Sequence, residues 1–278
     1  MPIFSVMRLA LFRWGLLGMA FSAASLPGVA AGAEAVAITP EFTLTMQDLS
    51  GMTATLPPAI RAAIRGNPSD FLRLMAAVLD QPPDLLLLVD KQHPLGASYA
   101  PPDLVNLKDY PVTATWPHLL LRRTVMPAVL EMVRAARRDG VTLTFSSAYR
   151  SYSYQQGVFR REVAMYGREM AERESAHAGY SQHQLGTAVD FGSISDAFEA
   201  TAEGRWVAAH AWEYGFSQSY PAGDEQVTGY RHESWHYRYI TKPGALAQRR
   251  YFGDVQQYFL LFLHANRAVL ERARAARE

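Results

Sequence analysis

The sequence predicts an α+β fold, in which a small antiparallel sheet is flanked by helices, with a helical N-terminal extension and a long C-terminal helix. Three patterns predict it. Apolar residues recur at helical spacing over 58–79 and 125–138. Strand-like alternation of apolar and polar residues occurs over 141–145 and 187–191. An amphipathic stretch over 243–274 predicts the C-terminal helix.

The N-terminal part of the pattern combines one strand with two helices. Alternation over 42–46 predicts a short strand. The helical spacing over 58–79 is interrupted at 66–68, where a glycine and a proline punctuate the chain. We therefore expect two helices there, with Ser69 or Asp70 capping the second one.

Further elements follow along the chain. Residues 85–89 form a short apolar run, which predicts a buried strand or extended segment. A polar helix is predicted over 153–173 and another helix over 198–214. Residues 236–240 complete the strand candidates. The C-terminal helix is expected to bend at Gly253, since glycine weakens a helix interior.

The composition excludes some functions and limits the chemistry of any metal site. The 27 lysines and arginines nearly balance the 26 aspartates and glutamates. This balance argues against sequence-independent nucleic-acid binding, which needs many phosphate contacts, and we expect no nucleic-acid partner. The chain has no cysteine. Disulfides are therefore excluded, and the protein ligands of a zinc ion can only be histidine, aspartate or glutamate.

The first 33 residues have the pattern of a secretory signal peptide. Arg8 and Arg13 give a basic start without acidic residues, and an apolar run follows over 14–24. Small residues at 31–33 fit a cleavage site. A membrane anchor is the alternative, but the apolar run is shorter than the roughly 20 residues that span a bilayer.

These observations predict the domain organisation and the location. We expect a signal peptide over 1–33, an N-terminal extension or subdomain over 34–118, and a catalytic domain with the C-terminal helix over 119–278. The protein is expected to be exported to the periplasm or cell envelope, without stable membrane insertion once the signal is removed.

Two stretches carry residues suited to holding a metal ion. The sequence SQHQLGTAVD occupies 181–190, and ESWH occupies 233–236. Together they supply two imidazoles, one carboxylate ligand and one additional carboxylate. A catalytic zinc site with an open coordination position requires that set of groups.

Each of these groups has an expected role. His183, Asp190 and His236 are the predicted ligands of one zinc ion. Glu233 is the predicted general base, because a carboxylate beside a catalytic metal can take and return a proton. Arg150 follows the strand over 141–145 and is expected to stabilise a developing oxyanion, since its guanidinium stays charged.

The two motifs resemble the zinc site of the VanY-type D-alanyl-D-alanine carboxypeptidases, in the wider group that contains the LAS metallopeptidases. The resemblance extends over roughly 85–240 and includes 149–151 with Gln155. It implies the ligand and catalytic roles above, and it implies that Ser181 and Gln155 bind substrate. It also implies zinc-dependent D,D-carboxypeptidase activity on the terminal D-Ala-D-Ala bond of peptidoglycan stem peptides.

Several alternatives stay open. The same scaffold can serve an L,D-carboxypeptidase or a D,D-endopeptidase acting on the same wall peptides. A non-catalytic wall-binding module or a structural zinc site is also conceivable, although neither needs the additional carboxylate of Glu233. His177 and His232 are candidate extra ligands, but loop histidines near a site are more often solvated or hydrogen-bonded to a ligand.

Overall fold

A mixed five-stranded sheet forms the centre of the fold in the computed structural model, which describes residues 36–274. The strands within that range are Leu104–Asn106 (β1), Thr113–Ala114 (β2), Leu120–Arg122 (β3), Thr144–Ser147 (β4), Ala188–Phe191 (β5), Phe216–Gln218 (β6) and His236–Tyr239 (β7). The order in the main sheet is β2-β4-β5-β7-β6, and β1 pairs with β3 in a separate sheet. Only β2 and β4 run parallel, so the main sheet is antiparallel except at one edge.

Helices surround this sheet, and the α+β prediction is confirmed. Those of the described residues are Met46–Met52 (α1), Pro58–Gly66 (α2), Pro68–Leu79 (α3), Met126–Arg138 (α4), Tyr152–Tyr166 (α5), Arg168–Glu174 (α6), Ala202–His210 (α7), Glu225–Thr228 (α8), Lys242–Tyr251 (α9) and Gln256–Ala273 (α10). The helices predicted over 58–79 and 125–138 are α2, α3 and α4. In the segment 198–214, α7 lies between two 3-10 turns.

The break between α2 and α3 occurs as predicted, but the cap is a different residue. Asn67 ends α2 and caps α3, because its side-chain oxygen accepts a hydrogen bond from the backbone amide of Asp70 at 3.3 Å. Pro68 follows at the first helical position, where a missing N–H costs nothing. The predicted caps Ser69 and Asp70 both lie inside the first turn of α3.

The strand predicted over 42–46 is wrong. Phe42 makes isolated bridges and no strand ladder within the described residues. Thr45 and Asp48 form a capping box, in which each side chain accepts the other residue's backbone N–H. This reciprocal pair starts α1 at Met46, within the alternating segment, so local capping outweighs the alternation.

Two predicted helices are each divided by a glycine. The helix expected over 153–173 is interrupted at Gly167, whose φ is 81°. The helix expected over 243–274 is interrupted at Gly253 and Asp254, with φ of 64° and 61°. A left-handed residue cannot continue a right-handed helix. The long C-terminal helix is therefore α10 alone, and the expected bend is a complete break.

The apolar segment 85–89 is a 3-10 turn over Pro83–Leu86 followed by extended backbone, so the predicted extended segment is confirmed in part. It packs beneath β7, where Arg238 is fully buried. One guanidinium nitrogen of Arg238 donates to the carbonyl oxygens of Leu85 and Leu87 at 3.1 and 2.7 Å. Burial lowers the pKa of Arg238 to about 10. These bonds attach the N-terminal region to the strand that carries His236.

The N-terminal helices also pack on the C-terminal ones. The ring of Phe71 in α3 lies edge-on to Tyr251 of α9 and Phe262 of α10, with centroids 5.2 and 5.5 Å apart. All three residues belong to the same hydrophobic core. The division of the chain into 34–118 and 119–278 stays a prediction.

The predicted signal peptide, residues 1–33, lies outside the described residues and also stays a prediction. Between residues 36 and 274, no helix combines the length and hydropathy that crossing a bilayer requires.

Candidate active site

The sheet brings the three predicted metal ligands together. Asp190 in β5 lies directly opposite His236 in β7, so both side chains leave the same face of the sheet. His183 comes from a 3-10 turn that immediately precedes β5. Gly186 ends that turn with a φ of 67°, which reverses the chain into the strand. One ligand atom from each residue lies within 4.8 Å of the others, and all three residues are buried.

The two imidazoles use opposite nitrogens toward Asp190. His183 Nδ1 lies 2.6 Å from the carbonyl oxygen of Ala148 and donates to it, which leaves Nε2 facing Asp190 at 3.3 Å. His236 Nδ1 faces Asp190 at 2.9 Å, while its Nε2 lies 3.3 Å from the side-chain oxygen of Gln182. Each histidine thus has one nitrogen bonded to an outer partner and one nitrogen that faces Asp190, where a metal ion would bind.

This donor set fits zinc. Two imidazole nitrogens and one carboxylate oxygen are ligands that catalytic zinc sites use, and three protein ligands leave room for water or substrate. Both imidazoles also have the outer hydrogen bond that orients a zinc-binding histidine. The chain therefore has a site for one zinc ion at His183, Asp190 and His236.

The electrostatics of the site favour the protonation states that metal binding requires. Burial, followed by the nearby Arg150 guanidinium, lowers the pKa of His183 to about 4. Burial alone would raise the pKa of Asp190, but the contacting imidazoles of His183 and His236 outweigh it. They hold the pKa of Asp190 well below its usual range. At neutral pH the aspartate is therefore ionised and His183 is neutral.

Glu233 lies beside this group, as predicted. Its Oε2 is 3.8 Å from Nδ1 of His236, and only 11% of its side chain is exposed. The backbone amide of Glu233 donates to the carbonyl oxygen of Tyr220 at 3.0 Å, which fixes the segment before β7. Burial raises the pKa of Glu233 well above its usual range, and the charge of Asp190 adds to this effect.

Arg150 reaches the same group from the end of β4. Its guanidinium donates to Oδ2 of Asp190 at 2.8 Å, to the hydroxyl of Ser147 at 3.1 Å and to Oε1 of Gln155 at 3.3 Å. About 20% of the side chain is exposed. The structure therefore brings Arg150 together with the metal group, and the cation is held in place by three acceptors.

The two predicted substrate-binding residues lie at the edges of the site. The hydroxyl of Ser181 accepts a hydrogen bond from the backbone amide of His183 at 3.3 Å and caps its turn. Gln155 is buried, accepts from Arg150 and donates to the carbonyl oxygen of Ala176 at 2.8 Å. Ser181 thus contacts a candidate ligand and Gln155 contacts Arg150, and their roles in substrate binding stay predictions.

The two extra histidines do not join the metal group. His177 bonds to the carboxylate of Glu172 and stacks on Phe159. His232 bonds to Glu199 and to a backbone carbonyl. In contrast, Gln182 contacts His236 and was not predicted. Its place beside His183 in the motif is the one signal that could have indicated it.

A cavity of about 560 Å³ opens next to these residues. It is lined by α5, by the loop after α6 and by Tyr230. Gln155 lies between the cavity and Arg150. The amide of Gln155 is 3.5 Å from the hydroxyl of Ser175 in the cavity wall, and its oxygen accepts from Arg150. The ring of Tyr230 packs against Tyr220, which stacks on the imidazole of His236. None of the three candidate ligands lines the cavity, which is connected to them through Gln155 and Tyr220.

Comparisons with known proteins agree with this geometry. Residues 118–242, which contain all three candidate ligands, match the VanY family of D-alanyl-D-alanine carboxypeptidases. The chain is 35% identical over 188 residues to YodJ of Bacillus subtilis (strain 168). The matched region is 65% of this chain and 69% of that relative.

Solved structures show the same fold. The LD-carboxypeptidase LdcB superimposes with a TM-score of 0.59 at 33% identity, over 65% of this chain and 88% of its own. A D,D-pentapeptidase VanY from a VanB-type resistance cassette, determined in complex with Zn(II), superimposes with a TM-score of 0.54 at 29% identity. The match covers 64% of this chain and 99% of that protein. The chain belongs to the VanY family of D-alanyl-D-alanine carboxypeptidases and is a zinc metallopeptidase.

Proposed function

We propose that this protein is a D,D-carboxypeptidase that removes the terminal D-alanine from peptidoglycan stem peptides ending in D-Ala-D-Ala. The observation that carries the proposal is the position of Glu233. A structural zinc site has no need for a further buried carboxylate that lies beside its ligands without being one of them. The family match supports the choice of substrate.

Glu233 is the group that moves protons in this reaction. Zinc held by three protein ligands supplies a Lewis acid and lowers the pKa of water at the site. Glu233 takes a proton from the attacking water and delivers it to the amine of the departing D-alanine. Burial and the charge of Asp190 raise the pKa of Glu233, and the positive charge of a bound zinc ion would lower it again, which suits a carboxyl that must both accept and donate a proton.

Arg150 supplies fixed positive charge for the same step. The attacked carbonyl oxygen becomes negative as water adds, and a guanidinium already held in place stabilises that charge without reorganising. Ser147 and Gln155 hold Arg150 from two sides, and its third partner is the carboxylate of Asp190. The cation therefore lies at the metal group before substrate arrives.

The cavity beside Gln155 has room for the part of the substrate that precedes the scissile bond. A stem peptide extends for several residues on the acyl side of the scissile bond. The cavity offers aromatic walls at Tyr152, Phe159 and Tyr230 and polar groups at Gln156 and Arg160. Charged groups at Lys91 and Glu172 also line it. Aromatic walls combined with polar groups that fix the orientation of a ligand are common in small-ligand sites. We place the acyl part of the peptide there.

L,D-carboxypeptidase activity is the second candidate. It is favoured by the likeness to LdcB, whose TM-score and identity exceed those of the D,D-pentapeptidase VanY. Both activities need the same zinc site, general base and oxyanion partner. They differ in the configuration of the residue before the scissile bond.

A panel of defined wall peptides separates the candidates. The protein is incubated with a stem pentapeptide ending in D-Ala-D-Ala, with the tetrapeptide and with a cross-linked dimer, and products are identified by mass spectrometry. We expect D-alanine release from the pentapeptide, lost with a zinc chelator and restored by zinc. Release from the tetrapeptide alone would establish L,D activity, and cleavage of the dimer alone an endopeptidase. Binding without any product would indicate a wall-binding module.

We also propose that the protein acts in the periplasm or cell envelope. The support is the signal-like sequence of the first 33 residues and the location of the proposed substrate outside the cytoplasm. Fractionation of cells that express the full chain, followed by N-terminal sequencing, tests this. We expect a processed protein beginning near residue 34 in the envelope fraction. An unprocessed chain in the cytoplasm would contradict it.

A further inference from the structure

A buried row of side-chain amides connects the start of α10 to a metal ligand. Gln256, in the first turn of α10, accepts a hydrogen bond from the side-chain amide of Gln182 at 3.3 Å. The oxygen of Gln182 in turn lies 3.3 Å from Nε2 of His236. All three residues are buried. Gln256 lies beyond the region 118–242 that matches the family.

The contact between Gln256 and Ser217 determines which atom donates and which accepts in every hydrogen bond of this row. The amide nitrogen of Gln256 donates to the backbone carbonyl of Ser217 at 3.2 Å. A carbonyl only accepts, so the oxygen of Gln256 must point the other way, toward Gln182. Gln182 then has to donate with its nitrogen and accept with its oxygen. The only proton that His236 can offer to that oxygen is the one on Nε2.

The hydroxyl of Ser219 also favours this orientation of the Gln182 amide. The hydroxyl of Ser219 donates to the oxygen of Gln182 at 2.7 Å and lies 3.3 Å from the oxygen of Gln256. Ser219 is buried as well. A flip of the Gln182 amide would turn its oxygen toward the oxygen of Gln256, so that two acceptors face each other. The hydrogen bond between the two side chains is then lost inside the protein, where unpaired polar groups are costly.

We propose that Gln182 and Gln256 are positioning residues, which fix His236 in the form protonated at Nε2 and so present Nδ1 to the zinc ion. This inference rests on the zinc site and not on the choice of peptide substrate. The other histidine needs no such device, because His183 donates directly to the backbone carbonyl of Ala148. The C-terminal helix α10 thereby has a part in metal binding as well as in the core.

The tautomer can be measured in the unmodified protein. In the zinc-free protein the carboxylate of Asp190, 2.9 Å from Nδ1 of His236, also attracts a proton, so the measurement is made with zinc bound. Nitrogen-15 NMR of the zinc-loaded protein distinguishes a protonated imidazole nitrogen from a metal-bound one. We expect Nε2 of His236 to be protonated and Nδ1 to bind the metal. Zinc bound through Nε2 would overturn the proposal.

Zinc affinity tests the positioning residues themselves. Methionine is close to glutamine in size and makes no comparable hydrogen bond, so Gln256→Met and Gln182→Met remove the bonds with little change in volume. We expect each to weaken zinc binding by about tenfold to a hundredfold in competition with a chelator, the range typical of residues that orient a ligand. The double variant should be no weaker than Gln182→Met, since both act through one bond.

Gln257 provides the matched control. It is the next residue of α10, is buried and donates to the carboxylate of Asp90 at 2.6 Å, away from His236. Gln257→Met should therefore lower stability without changing zinc affinity. Equal zinc affinity in the wild type and Gln256→Met, or an equal loss in Gln257→Met, would contradict the inference. None of these measurements uses a peptide, so they stand apart from the proposed activity.

Discussion

Glu233 and Asp190 are both buried carboxylates within one site, yet their surroundings give them opposite properties. Burial by itself would raise the pKa of both carboxyl groups. Two imidazoles contact Asp190 and outweigh burial, whereas Glu233 gains a further upward shift from the charge of Asp190. In the proposed reaction Asp190 is therefore the ionised metal ligand, and Glu233 is the carboxyl that exchanges protons. The division of roles comes from neighbours, not from residue type.

Replacement of Arg150 tests its role in the reaction. Arg150→Met removes the charge expected at the developing oxyanion, so kcat should fall by about 10²–10³-fold, the usual effect of losing one such group. Turnover of the pentapeptide and zinc content are measured together. Arg161→Met is the control, since Arg161 lies on the same region of the chain and contacts the ring of Tyr154 instead. An unchanged kcat in Arg150→Met would remove this residue from the mechanism.

Most of the site could be predicted from sequence, because a short motif carries its chemistry. His183 and Asp190 are fixed by one turn and one strand, and the pairing of β5 with β7 adds His236. Gln256 could not be predicted in this way. Its contact with Gln182 joins residues that are far apart in the chain, and no local pattern encodes such a contact.

At the scale of elements, helix caps explain where the pattern of the sequence was misleading. The helical patterns over 153–173 and 243–274 do not show that the backbone turns left-handed at Gly167 and Gly253. The alternation over 42–46 is real but too short to outweigh the capping box at the start of α1. Periodicity predicted α2, α3 and α4 as helical. Polar side chains determined where α1 and α3 begin.

The cap of α3 gives a direct test at this scale. Asn67→Ala removes the side-chain acceptor for the backbone amide of Asp70, which should lower the free energy of unfolding by about 1 kcal/mol. Urea denaturation measures the change. Ser69→Ala is the comparison, because Ser69 lies inside the first turn and makes a single 3.3 Å hydrogen bond to a backbone carbonyl. A larger loss in Ser69→Ala than in Asn67→Ala would show that the cap is misassigned.

At the scale of the whole molecule, N-terminal and C-terminal segments outside the family region pack against each other. The ring contacts of Phe71 join α3 to α9 and α10. Asp90 adds a polar link, because its carboxylate accepts from the side chain of Gln257 in α10. The fold class was predictable because it depends on repeated local patterns. The mutual packing of distant segments was not, since it depends on contacts that no single segment contains.

The Asp90 link predicts a dependence of stability on pH. Burial raises the pKa of Asp90, but hydrogen bonds from the Gln92 backbone, His93 and Gln257 outweigh it, so the folded pKa lies below the usual value. A lowered folded pKa stabilises the protein above the unfolded pKa of about 3.9. That stabilisation is lost as pH falls through the lower folded value.

Unfolding of wild type and Asp90→Asn by urea at several pH values checks this. The difference in unfolding free energy should be constant above about pH 5 and should shrink as the pH falls below about 4. Parallel curves throughout that range would show that Asp90 has the same pKa in the folded and unfolded states.

The central claim is that zinc and Glu233 together release D-alanine, and one comparison tests it most directly. Wild-type protein and Glu233→Gln are each brought to one bound zinc per chain, and D-alanine release from the stem pentapeptide is measured. We predict that the variant keeps its zinc, because Glu233 is not a ligand, and that its turnover falls by at least about 10²–10⁴-fold, the usual contribution of a general base. Equal turnover by the two proteins at equal zinc content would contradict the account.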